Sequence, residues 1–335
     1  MHVPRLIVSI AATLLTSSLA WSASSLRQIG MVNLPGSPGF SELAFAKGML
    51  VMTQTGASSV DVFDAGKRRV IAQVTGLQSP RGIAVDEQNG KVYVADAGNN
   101  AIAVISIDTW KVSDTIPLQG SPDHLLLADN ATQMYWSDAG NGTVSLLDLG
   151  TKQNIATVQV GGSPRYLASD PDRQVVFATI QDRHEIVAID PQLKIVAHFN
   201  LNASQPTGLV YDARFRALYV AARFAVVALK AENGTEINRV PAAAGVDRLW
   251  LDPESRTVYA AGGGSLTVMR ADNGRIALVD EIPMDVKGHT VAYDPGRKLV
   301  LLPGGREGKS RLLILKSMTS GRTPENAETT QAQVH

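Results

Sequence analysis

Nine residues of this chain are of types that grip charge or carry protons, and they fall at matching places in a repeated text. They are Glu42, Arg81, Asp123, His124, Arg165, Tyr166, Asp247, Arg248 and His289. All but Glu42 follow by one or two positions a marker that recurs as Pro80, Pro122, Pro164, Pro206, Val246 and Gly288, at steps of 42, 42, 42, 40 and 42 residues. Pro38 stands 42 residues before Pro80 and gives a seventh marker, where the alignment slips and Ser41–Glu42 become the equivalent pair. The remaining pairs are Arg81–Gly82, Asp123–His124, Arg165–Tyr166, Thr207–Gly208, Asp247–Arg248 and His289–Thr290. If the repeat is circular, these pairs meet on one rim. Three arginines there would hold a carboxylate or phosphate in bidentate fashion, and Tyr166 would offer a ring for stacking. The expectation is a polar pocket for a small anionic or mixed-charge ligand. The alternative is a wet rim on which Arg and Asp satisfy one another.

Other chemistry is less well supplied. His124 and His289, with Asp123 or Glu42, are ligand types that zinc or calcium accepts. The two histidines belong to non-adjacent units, so the expectation is no metal and no cofactor. "PGGREGKS" (Pro303–Ser310) ends like a phosphate-binding loop, but Pro303 stands where its first glycine must be, and no helix pattern follows. It reads as a turn between strands, as does "GGGS" (Gly262–Ser265). The turns "DAGNN" (Asp96–Asn100) and "DAGNG" (Asp138–Gly142) lack the ligand series of a calcium loop, and Asp there is expected to cap the turn. His184 and His198 are assigned to the third and fourth strands of the fourth unit, away from the rim.

The elements that must position these residues are strands. After each marker comes a short apolar run ("GIAVD", "LLLAD", "YLASD"), then a turn and a second run ("KVYVAD", "QMYWSD", "VVFAT"). A third ("AIAVISID", "TVSLLDL") and a more mixed fourth ("KVSDTIPLQG", "NIATVQVGG") complete the unit. Val, Ile, Leu and Tyr runs bounded by Asn, Asp and Gly are strand signals. Four strands in about 42 residues is the length of a propeller blade. The seventh unit lacks its fourth strand, and "LRQIGMVNLPG" (Leu26–Gly36), before the first marker, has the fourth-strand pattern. The fold expected is all-β: a seven-bladed β-propeller with four antiparallel strands per blade, closed by the N-terminal strand completing the last blade.

"VYVADAGNNAIAVISIDT" (Val92–Thr109) resembles the bacterial YVTN-type propeller repeat and the related NHL repeat. "TIPLQGSP" (Thr115–Pro122) and "TVQVGGSP" (Thr157–Pro164) resemble the YVTN inter-blade segment. The resemblance covers about residues 26 to 318. It implies exported, periplasmic or surface proteins that serve as enzymes, binders or scaffolds, and some YncE-like members are reported to bind single-stranded DNA. Lactonase-type relatives hold calcium through Glu, Asn and Asp, a set not found here beyond Glu42; the His/Glu spacing of streptogramin lyases is also missing.

Composition narrows the partners. The 335 residues are 44% hydrophobic with a formal net charge of zero, so nucleic acid is not the expected main partner. There is no cysteine, which removes disulfides, thiolate nucleophiles and zinc–cysteine sites. Met1–Arg5 followed by the uncharged run Leu6–Ala20, with small residues near positions 18 to 22, reads as a signal peptide over residues 1–22. The run is short for a membrane span, so none is expected after cleavage. Residues 319–335 read as a disordered polar tail. Asn-x-Ser/Thr triplets begin at Asn130, Asn141, Asn202 and Asn233 and are attributed to chance in Asn-rich turns. Together these readings predict a periplasmic or secreted monomer acting as a non-catalytic binding module for a small anionic ligand or a protein partner. The alternatives are a metal-dependent lactonase-type hydrolase or lyase, and single-stranded DNA binding.

Overall fold

The computed structural model describes residues 25–128 and 131–318. The regions read as signal peptide (1–22) and polar tail (319–335) lie outside them. Seven four-stranded antiparallel sheets follow one another along the chain. The first comprises β2 (Phe40–Ala46), β3 (Met49–Gln54), β4 (Ser59–Asp64) and β5 (Arg69–Val74). The second comprises β6 (Pro80–Asp86), β7 (Lys91–Asp96), β8 (Ala101–Ser106) and β9 (Lys111–Pro117). Blades three to six repeat this order from β10 (Leu125–Leu127) through β14 (Pro164–Asp170), β18 (Leu209–Asp212) and β22 (Leu249–Asp252), each opening its sheet.

Closure is by the displaced strand. β1 (Leu26–Asn33) is the outer member of the last sheet, beside β28 (Lys309–Ser317), β27 (Leu299–Arg306) and β26 (Ala292–Asp294). It pairs antiparallel from Leu26↔Ser317 to Asn33↔Arg311. The first and last strands of the described residues are thereby joined in one sheet.

The core explains why the ring holds. Second and third strands are buried on both faces, and their side chains form seven apolar clusters, each shared by two neighbouring sheets. Phe177 and Ile186 of the fourth sheet pack with Leu218 and Val227 of the fifth. Leu50 and Phe63 of the first pack with Leu301 and Ile314 of the seventh, which seals the circle. Fourth strands alternate exposed and half-buried residues, as outer edges should: β13 (Gln153–Gln159) exposes Ile155 at 50%. "PGGREGKS" forms the tip of the β27–β28 hairpin, where Arg306 pairs with Lys309 across Glu307–Gly308.

One end of the disc carries the site. Because Pro80 pairs with Asp96 and Ala101 with Pro117, the loop entering each first strand and the turn joining second to third strands lie on the same face. Those turns are capped as expected. Asp138 Oδ1 accepts the Gly140 and Asn141 amides, and its Oδ2 accepts the Ser121 amide of the incoming loop.

Candidate functional site

In blades one, two and four the first strand opens with a bulge covering the two positions after the marker. The register jumps between Phe40 and Leu43, between Pro80 and Ile83, and between Pro164 and Leu167. Phe40 is therefore the structural counterpart of Pro80, and Ser41–Glu42 do occupy the equivalent pair. The nine candidates stand in two layers. Residues one after the marker stand at the channel mouth: Arg81, Asp123, Arg165, Asp247 and His289. Residues two after it reach inward and close the channel: Glu42, His124, Tyr166 and Arg248. These four lie deeper than their neighbours on the chain, while Glu42, His124 and Tyr166 still line the cavity beneath the mouth together with Asp123, Arg165 and Asp247.

At the mouth, Asp123 holds two arginines. Arg81 Nη1 donates to Oδ1 at 2.7 Å and Arg165 Nη1 to Oδ2 at 2.9 Å. The Asp123 side chain is 14% exposed, while those of Arg81 and Arg165 remain 35% and 33% exposed. About a third of each arginine side chain thus stays open to solvent. Opposite, His289 Nε2 donates to the Phe40 carbonyl at 2.7 Å, and its Nδ1 lies 3.5 Å from Asp247 Oδ2. Burial raises the Asp247 carboxyl above its ordinary value, and Asp123 adds to this, against the pull of His289 and Arg165.

In the inner layer Glu42 is almost completely buried and pairs with Arg248 across the channel. The Arg248 guanidinium also lies 5.3 Å over the Trp250 ring. Burial lowers Arg248 to about 10, still well above neutrality, so it stays charged beside Glu42. His124 Nε2 is 3.7 Å from Glu42 Oε2, and its Nδ1 accepts the Leu167 amide at 3.3 Å. The His124 ring also packs on Tyr166 at 4.6 Å. Burial pushes the His124 imidazole down to about 4, with only Asp123 opposing, so it is neutral near pH 7. With both nitrogens turned to protein groups, His124 has no free lone pair for base catalysis. Burial likewise pushes the Tyr166 hydroxyl far up.

Two glycines make this packing feasible. A Cβ at Gly82 would lie 2.8 Å from the Asp123 carbonyl, and one at Gly208 would lie 2.7 Å from that of Asp247. The blades meet there backbone to backbone, and the channel is filled by the larger side chains between.

Three hydroxyls on second strands, which the sequence reading passed over, set the inner layer. Thr53 Oγ1 accepts the Glu42 amide and donates to the Arg81 carbonyl of the next blade at 2.6 Å. Ser137 Oγ does the same for His124 and Arg165, and Thr179 Oγ1 for Tyr166 and Thr207. Thr53 and Thr179 replace the ladder bond that the bulge removes, and each hydroxyl ties one blade to the next. The corresponding positions in blades two, five and six are Ala95, Ala221 and Ala261.

A cavity of about 50 Å³ lies beneath the mouth, lined by Ser41, Glu42, Asp123, Arg165, Thr207 and Asp247 among others. A second of about 420 Å³ lies below the inner layer, walled by the first strands of blades two to five with Glu42 of blade one and Arg248 and Leu249 of blade six. Among the described residues no three of His, Asp or Glu are arranged to hold a metal ion. His124 and His289 are not brought together. His198 is on a fourth strand as expected, 3.0 Å from Glu185. His184 is not on the third strand. It lies one residue before it, exposed in the turn on the mouth face, where its Nδ1 accepts the Gln205 amide.

Comparison with known proteins agrees with this geometry at the level of fold. Residues 77–105 match the NHL repeat. A chain of the hydrazine synthase of Kuenenia stuttgartiensis superposes with a TM-score of 0.73 at 15% identity, covering 85% of this chain and 97% of its own. A chain of the mitotic checkpoint complex superposes with a TM-score of 0.73 at 13% identity, covering 94% of this chain and 99% of its own. No curated protein matches the sequence. Among the described residues no helix is long and apolar enough to cross a membrane.

Proposed function

We propose that this seven-bladed propeller, in which residues 77–105 match the NHL repeat and whose kind commonly serves as a protein-interaction module, is a non-catalytic binding module whose channel mouth holds an anionic group. The observation that carries this is the shared carboxylate: Arg81 and Arg165 each spend one nitrogen on Asp123 and keep a third of the side chain open at the mouth. A carboxylate or phosphate arriving there meets two preoriented guanidinium groups. The cavity of about 50 Å³ beneath the mouth is small and is lined by Arg165 together with Glu42, Asp123 and Asp247, but not by Arg81, so the anionic group is read as sitting at the mouth above it. The rest of the ligand, or of a protein partner, lies on the face outside. The same reading sets the protein in the periplasm or outside the cell, on the strength of the apolar run Leu6–Ala20 and the cysteine-free composition.

The test is a thermal-shift screen of organic acids, inorganic phosphate, sugars and lactones. Binding to the folded state raises the unfolding midpoint by mass action. At least one anion should raise the wild-type midpoint and fail to do so in Arg165→Ala. Shifts confined to neutral sugars or lactones, or unchanged in Arg165→Ala, would remove the mouth as the site.

A further inference from the structure

The turn joining second and third strands of blade five breaks the pattern of its neighbours. Blades five, six and seven each use a two-residue hairpin there: Arg223–Phe224, Gly263–Gly264 and Glu307–Gly308. The second residue takes positive φ in all three, at 65°, 82° and 71°. Glycine meets that demand in two blades, and phenylalanine meets it in the third. A bulky residue in the left-handed region is strained by roughly 1–2 kcal/mol. Phe224 gains no burial in return, being 60% exposed, with the Arg223 guanidinium 5.3 Å over its ring. Positive φ is shared by seventeen other non-glycine residues, Trp110, Leu193 and Glu307 among them, so what singles out Phe224 is its exposed ring beside Arg223, which has the makings of a recognition anchor.

The surroundings supply room and charge. A depression of about 350 Å³ lies against this hairpin, lined by Gln181, Gln205, Thr207, Arg223, Gly245 and Asp247. Thr207 and Asp247 also line the mouth cavity, and Gly245 also lines a groove of about 1160 Å³ running out over blades six, seven and one. Most acidic groups of this face are engaged, and among the described residues Asp182 and Glu281 lack an ion-pair partner, Glu281 taking only the Ser265 hydroxyl. Asp123, Asp247, Asp285 and Glu307 stand in ion pairs, and Asp182 accepts the Ser163 amide. Among the described residues, the exposed cations Arg183, Arg223, Lys287 and Lys309 have no ion-pair partner. The uncompensated charge of this face is positive on balance.

We infer that the rim over blades five to seven is a docking surface for an acidic segment of a partner protein, with Phe224 as its anchor and Arg223 beside it. This rests on the reading of the mouth face as the binding face, but uses residues other than those that grip the anionic group. A single aromatic amid backbone-lined depressions suits a peptide, whereas single-stranded nucleic acid uses successive stacking rings along a basic track.

The experiment is selection of a phage-displayed library of random twelve-residue peptides on the full propeller, followed by affinity measurement of the enriched peptides. Enriched peptides should be rich in Asp and Glu. They should lose about tenfold or more in affinity on Phe224→Gly, as expected for an interface anchor. The same substitution should leave the unfolding midpoint unchanged or raised, because glycine accepts the backbone that phenylalanine strains. Phe224→Asn, which also tolerates positive φ, serves as the second variant. Arg165→Ala separates the two readings: peptides that lose affinity only with Phe224 support docking at the rim even if the mouth holds no anion. Failure to enrich acidic peptides, or enriched peptides indifferent to Phe224, overturns the inference. Binding of a fifteen-nucleotide thymidine oligomer through Phe224, with no peptide bound there, overturns it also.

Discussion

Acidification should destabilise this propeller through His124, and glutamine at that position should abolish the effect. The unfolded imidazole titrates near 6.5, while burial brings the folded one to about 4. Between those values the unfolded chain binds a proton that the folded chain refuses. Stability contributed by the neutral ring is therefore complete above pH 6.5 and lost as the pH falls toward 4. At about 1.4 kcal/mol per pH unit, the step from pH 7.5 to 4.5 costs about 2–3 kcal/mol. The structural reason is specific. Nδ1 must keep its lone pair to accept the Leu167 amide, and the Glu42 charge at Nε2 is already met by Arg248. Urea unfolding of wild type and His124→Gln, followed by tryptophan fluorescence at both pH values, gives the wild-type-minus-variant difference. That difference should move against wild type by about 2–3 kcal/mol on acidification. A difference that stays constant, or that moves in favour of wild type at low pH, would mean that His124 protonates and pairs with Glu42, and the reasoning would fail.

Three further outcomes are expected. Asp61 is fully buried with Oδ2 unpartnered, and burial raises it to about 6 against hydrogen bonds from Gln73 and Ser59. Its charged form is disfavoured, so Asp61→Asn should stabilise by up to about 3 kcal/mol at pH 7.5, and the gain should fade as the pH drops through 6 toward 3.8, measured by the same unfolding pair. Thr179→Val removes the hydroxyl joining the Tyr166 amide to the Thr207 carbonyl and should cost about 1–3 kcal/mol in urea unfolding, with a change in near-ultraviolet circular dichroism as Tyr166 shifts. Asp123→Ala frees both mouth arginines. It should lower the unfolding midpoint in anion-free buffer and enlarge the rise produced by added phosphate, which a thermal-shift titration reads directly.

Much of the architecture was legible because the same unit is written seven times. A marker recurring every 40 to 42 residues, and a fourth strand displaced to the beginning, implied the closure that β1 makes with β28. The residues of the candidate site were legible for the same reason, since repeat position fixes position on the ring. Their depth was not. The register jumps at Pro80/Ile83 and Pro164/Leu167 set Arg81 and Arg165 apart from the residues that follow them, and a bulge leaves no mark in residue type; His124 stands in a blade whose pairing shows no such jump. The supporting hydroxyls did leave one. Aligning second strands sets Thr53, Ser137 and Thr179 against Ala95, Ala221 and Ala261, in the very blades that send Glu42, His124 and Tyr166 inward. His184 was misassigned by one residue at a strand boundary, where periodicity says least. Phe224 was overlooked because "ARFA" contains no glycine to betray the positive φ that its turn requires.

The central claim, that Arg81 and Arg165 receive an anionic group at the mouth, is tested most directly by nitrogen-15 NMR of the arginine side chains. Acetate, the simplest carboxylate, is titrated at constant ionic strength into the labelled propeller. The guanidinium resonances of Arg81 and Arg165 should shift together and saturate, while that of Arg68, on an outer turn of blade one, stays put. Resonances of Arg81 and Arg165 that do not move, or that drift without saturation alongside Arg68, would contradict the account.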